Sequence, residues 1–241
     1  VSLSVAAQDR YWTAYNFSVQ GKDAETVVAI MDGYFKENLP EGVSVELYEN
    51  HFKDTNNNYS HQLIWSGPLD DLSQQYMSDG GDAWSLMITR VNRHIDSFHS
   101  ASMGTRSFAL AKGDWKISDF PFQQIIEISA EDQQAFFKDF KGYQSKYNPD
   151  DRLVMSGNIK LGRNKDDGNT WILLGYKDFK SLFGGPSVMK GNYSNEKRRQ
   201  AWRGYLENRR TLNFKPLQCE FLSRPGTKSQ SFKTLLYRRV S

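Results

Sequence analysis

The four histidines of the chain, His51, His61, His94 and His99, all fall in its first half. Imidazole is the side chain that most readily ligates metals and exchanges protons near neutral pH. His51 and His61 lie on two runs that read as adjacent strands of a hairpin, so their rings can approach each other. His94 and His99 are five residues apart, on or just past one helix. That is not the i, i+4 spacing that puts two ligands on one helical face. Glu49 shares a strand face with His51 and would be the third ligand of a metal set. The spacing of such a set is not met, so no metal site is assigned. A single histidine suffices to hold a haem iron. His61, which opens a strand that also carries Trp65, is the best placed of the four. Trp12, Tyr15, His51, His61 and Trp65 together form the candidate pocket for a small apolar or aromatic ligand.

Other chemistry is sparse. Cys219 is the single cysteine, so the chain forms no internal disulfide. No G-x-S-x-G, H-E-x-x-H or phosphate-loop pattern is present. The acidic pairs Asp70-Asp71, Asp150-Asp151 and Asp166-Asp167 read as turn residues. "SDGGDAW" (78–84) reads as a loop ahead of a helix with Asp82 as its N-cap. The long segments 67–82 and 177–195 read as loops at a pocket mouth.

A second candidate surface is basic. Residues 195–241 carry 12 Lys/Arg against 3 Asp/Glu, in a chain whose net charge is only +3. Within "NEKRRQAWRGYLENRR" (195–210), helical spacing turns Trp202, Tyr205 and Leu206 inward and leaves Arg199, Arg203 and Arg210 on a neighbouring face. Such a face suits an acidic protein partner. The aromatic strand pattern of RNA-recognition modules is absent, so nucleic acid is not the expected partner. No run has the apolar length of a membrane span. The opening "VSLSVAAQ" resembles the tail of a secretory signal, which favours export.

The elements that must position these residues repeat. "YWTAYNFSV" (11–19) and "PFQQIIEIS" (121–129) are strand-like, and each precedes an amphipathic helix over 23–39 or 131–147. The helical stripes are Val27, Ile30, Met31, Tyr34 and Asn38, then Phe136, Phe140, Tyr143 and Tyr147. Strands follow within 39–52 and 147–161, and again within 56–67 and 166–177. A helix over 82–98, with Trp84, Met87, Ile88, Val91, Ile95 and Phe98 on one face, corresponds to the basic stretch. Last strands fall at 105–113 and 217–226, and "SFKTLLYRRV" (231–240) adds an extra one. The reading is an α+β chain of two ferredoxin-like βαββαβ units, residues 10–115 and 120–241. "TWILLGY" and "HQLIW" are apolar on both faces, so the two antiparallel sheets are expected to pack into a barrel-like pseudo-dimer.

This order of elements resembles the dimeric α+β-barrel superfamily, with two units fused in tandem. The resemblance is architectural and covers roughly residues 10–226. It implies haem binding and degradation, small monooxygenase reactions, or ligand sensing. Three functions are therefore expected in turn: a non-catalytic binding protein with its pocket in the first unit; a haem-linked or cofactor-free small oxygenase using His61 or His51; and an interaction protein docking an acidic partner on Arg199, Arg203 and Arg210.

Overall fold

The structure is a computed structural model describing residues 10–53, 57–77, 80–163, 167–189, 191, 196–197, 199–203 and 215–223. The opening "VSLSVAAQ", Arg210 and the expected extra strand at 231–240 lie outside the described residues. The chain is α+β. It divides into two compact units, one running up to Thr105 and one spanning Arg106–Ser223.

The first unit runs β1 (Arg10–Val19), α1 (Ala24–Asn38), β2 (Ser44–Asn50), β3 (His61–Gly67), α2 (Leu69–Met77), α3 (Gly81–Asn92) and the start of β4 (Ile95–Leu110). Strand β3 is central, antiparallel to β1 and β2, with Phe17 and Glu49 both opposite His61. β4 lies on the other side of β1. Strand side chains alternate between faces. One face therefore carries Phe17, Tyr15, Thr13, His61, Leu63, Trp65, Leu47 and Val45. The helices cover this face, and Val27, Met31, Phe35, Met87 and Val91 pack against it as the core. Trp65 stands edge-on to Phe35 at 5.0 Å and to Trp84 at 6.1 Å between ring centroids.

The second unit runs from the end of β4 through β5 (Phe122–Ser129), α4 (Gln133–Tyr147), β6 (Arg152–Leu161), β7 (Thr170–Tyr176), α5 (Phe179–Gly184) and β8 (Lys215–Ser223). Its strand order is β8-β5-β7-β6, antiparallel at each of these pairings. Its helix-covered core holds Phe108, Ile128, Phe136, Phe140, Val154 and Ile172.

Three local expectations are corrected. The helix expected over 82–98 stops at Asn92, where the Arg93 and His94 amides bond back only three residues and tighten the last turn. Ile95 then opens β4, and Phe98 is exposed. Asp82 is not the N-cap: Gly80 is, in the left-handed conformation, with no side-chain cap bond. The segments expected as loops contain helices α2 and α5. For α2 the physical signals are Pro68 just ahead of the helix, acids at Asp70 and Asp71 in the first turn, and Leu72 buried.

Candidate active site

His61 opens β3, at the end of the connection from β2. The buried Asn50 donates from Nδ2 to the carbonyls of Asn57 and Tyr59, at 3.3 and 3.2 Å, and so pins the loop that delivers Ser60. The Ser60 amide donates to the Phe17 carbonyl at 3.1 Å, and the Asn50 amide donates to the Ser60 carbonyl at 2.8 Å. These backbone bonds fix the start of β3.

The side chains then hold the imidazole. Ser60 Oγ accepts from the Val19 amide at 2.8 Å and lies 2.8 Å from His61 Nδ1. Its single hydroxyl proton has two acceptors in reach, Nδ1 at 2.8 Å and the Val19 carbonyl at 3.5 Å. The shorter bond is the stronger one. A Ser60 hydroxyl that donates to Nδ1 leaves the ring's own proton on Nε2. Nε2 makes no hydrogen bond among the described residues. The ring stacks on Phe17 with centroids 5.8 Å apart and an interplanar angle of 17°. His61 is only 4% exposed. Burial pushes its pKa down to about 4, with Lys53 and His51 adding to the shift. At neutral pH His61 is thus uncharged.

Tyr15 sits on the same face. It pairs with Leu63, so it lies diagonally from both His61 and Trp65, about 7–8 Å away in a regular sheet. Its hydroxyl meets that of Tyr76 on α2 at 2.5 Å. Burial raises the Tyr15 phenol above its ordinary value, and the bond to Tyr76 raises it further. Tyr15 stays protonated at any physiological pH. The face thus carries two neutral polar groups, the Tyr15 phenol and the His61 imidazole, among apolar side chains.

Of the five expected pocket residues, three share this helix-covered face, Tyr15, His61 and Trp65, while His51 lies just past the end of β2. They do not form one open pocket. Trp65 is a buried core ring, and His51 is exposed, with Nδ1 4.0 Å from Glu49. Trp12 pairs with Ser66 and belongs to the opposite face. That face carries a polar chain: Gln62 Nε2 donates to Asn16 Oδ1 at 2.9 Å, and Asn16 Nδ2 donates to Ser100 Oγ at 3.0 Å. Arg199 and Arg203 are exposed on a helical segment, and Trp202 next to them is half exposed, 5.5 Å from the Tyr143 ring. The sequence reading passed over Ser60, Phe17 and Tyr76. Ser60 was legible as the hydroxyl preceding His61, whereas Tyr76 lay in a segment read as a loop.

The four histidines differ in their surroundings. His51 faces Glu49, His94 Nδ1 lies 3.6 Å from Asp23, and His99 Nε2 lies 2.7 Å from Ser18 Oγ. His61 is buried and packed against Phe17. Among the described residues no three His, Cys, Asp or Glu side chains group as metal ligands, and no helix is long and apolar enough to cross a membrane.

No protein-family model and no curated protein matches the chain. Solved structures do. A candidate monooxygenase from Fusobacterium nucleatum is 13% identical, with a TM-score of 0.58 over 91% of this chain and 94% of its own. An anthrone oxidase-like protein is 7% identical, with a TM-score of 0.58 over 92% and 93%. A mutant chlorite dismutase from Candidatus Nitrospira defluvii is 12% identical, with a TM-score of 0.51 over 90% and 91%. The fold is that of the dimeric α+β barrels. The expectation of a non-catalytic binding protein is corrected here, because these similar structures carry the names of enzymes. No comparison supports an acidic protein partner.

Proposed function

We propose that the chain is a small oxygenase that acts on an electron-rich aromatic substrate without a bound haem, on the helix-covered sheet face of its first unit. The observation that carries this reading is the buried, neutral imidazole of His61, whose Nε2 makes no hydrogen bond among the described residues, on the same face as the protonated phenol of Tyr15. In its Nε2–H tautomer His61 is a preorganised donor, and such a donor in an apolar setting stabilises an oxyanion. An activated aromatic substrate, such as an anthrone-like methylene ketone, ionises when its enolate is so stabilised, and its proton passes to water. The enolate then supplies the electrons that reduce dioxygen. Overall a methylene and O2 yield a carbonyl and water, so oxidant and reductant balance with no further redox partner. Phe98, exposed and tilted at 6.4 Å from Phe17, is the outermost ring beside His61.

We also infer that the two units, at 10–115 and 120–241, are fused ferredoxin-like repeats of one ancestral fold. The support is the shared strand-helix-strand-strand order and the matching bonds at the start of each central strand.

The test is oxygen uptake by the full chain, treated with chelator and showing no Soret absorption, on a panel of anthrone-like and polyhydroxylated aromatics. The expected result is uptake of one O2 per substrate with the ketone or quinone as product. Turnover that appears only on adding haem or metal would overturn the reading, as would inertness toward the whole panel.

A further inference from the structure

The outer surface of the first unit's helix layer holds a groove of about 820 Å³ between α1 and α3. The two helices run antiparallel. Asp23, just ahead of α1, meets His94 just past α3 at 3.6 Å, and Tyr34 late in α1 meets Trp84 early in α3 at 5.7 Å between rings. Leu86 therefore comes level with the stretch between Ala29 and Gly33, Arg90 within about one turn of Glu25, and Ala83 within a turn of Gly33. All six residues line the groove.

We propose that this groove is an interface between two copies of the chain, related by a twofold axis parallel to the helices. Such an axis places α3 of one copy over α1 of the other and keeps the levels unchanged. The small Ala29 and Gly33 leave a hollow on α1. Leu86 on α3 projects as the matching knob, 53% exposed. Across the axis each Leu86 enters the hollow of the second copy. Each Arg90 meets Glu25 of the second copy in the same way. The charges are free for this role: neither Glu25 nor Arg90 has an ion-pair partner among the described residues. The groove is thus complementary to itself in both shape and charge, the requirement for an isologous dimer. This inference is independent of the oxygenase reading.

Sedimentation velocity of the full chain between about 1 and 200 µM decides it, in a range where weak dimers dissociate. The expected result is a monomer–dimer equilibrium. Arg90→Glu, which sets two acids against each other, raises the dissociation constant by about tenfold or more, and the swap Glu25→Arg with Arg90→Glu restores it. Leu86→Asp abolishes the dimer. Leu86 and Arg90 are exposed, so an unchanged circular dichroism spectrum is expected for each variant. A wild-type chain that stays monomeric over the whole range would overturn the proposal. So would a dimer indifferent to Arg90→Glu, or a double swap that fails to restore association. A small molecule retained in the groove of a monomer would overturn it equally.

Discussion

The two units begin their central strands with the same backbone frame and finish it with different chemistry. In the first, the Ser60 amide reaches the Phe17 carbonyl at 3.1 Å, and the Asn50 amide reaches the Ser60 carbonyl at 2.8 Å. In the second, the Asn169 amide reaches the Ile128 carbonyl at 3.0 Å, and the Ile159 amide reaches the Asn169 carbonyl at 2.9 Å. The side chain of the same residue then ties down the strand end: Val19 donates to Ser60 Oγ at 2.8 Å, and Ala130 donates to Asn169 Oδ1 at 3.0 Å. One position later the units diverge. Thr170 gives its hydroxyl proton to Asn169 Oδ1 and receives Gln133 Nε2, each at 3.0 Å, so its hydrogen bonding is used up inside the fold. His61 occupies the same register with one nitrogen bonded and one left over. The lesson is that one backbone frame serves as a structural latch when its polar atoms are all consumed, and as a candidate site when one is not.

Acid is expected to separate the units most. The folded-state pKa of His61 is about 4, below the ordinary 6.5 of an unfolded imidazole. As pH falls the unfolded chain binds the proton first, so stability declines between pH 6.5 and 4 and levels off below. The loss amounts to about 3 kcal/mol. Urea melts at stepped pH should show it in the wild type and not in His61→Leu. Next in size is Asn169→Ala, which removes the amide that joins Ala130 and Thr170. It should cost about 2–3 kcal/mol in the same melts. Ser60→Ala removes one acceptor for Val19 and should cost about 1–2 kcal/mol. It should also release the tautomer of His61, read as a shift of its ring nitrogens in NMR. The smallest effect is Gln133→Ala, about 1 kcal/mol, with oxygen uptake unchanged.

The core was legible in the sequence, because helical and strand periodicities report burial directly. The stripe of Val27 and Met31 and that of Phe136 and Phe140 both pack as spaced. Periodicity misled at Ile95 and Phe98, which extend the α3 stripe but belong to β4. Nothing in the spacing announces that the turn at Arg93 and His94 closes early. The site was only partly legible. His61 stood out by residue type, but its tautomer depends on Ser60 and Val19, and Val19 lies forty-two residues earlier, on another strand. Trp12 and Tyr15 looked equivalent in composition, yet strand alternation sends them to opposite faces.

The most direct test of the account is the oxygen-uptake rate of His61→Leu beside His61→Gln, each with the haem-free wild type. Gln can place an N–H near the position of Nε2, whereas Leu fills the volume with no donor. The account predicts that Leu lowers the rate by about 100-fold or more while Gln recovers most of it. Equal rates in all three proteins, or a Gln variant no better than Leu, would contradict the assignment of His61 as the donor on which the chemistry rests.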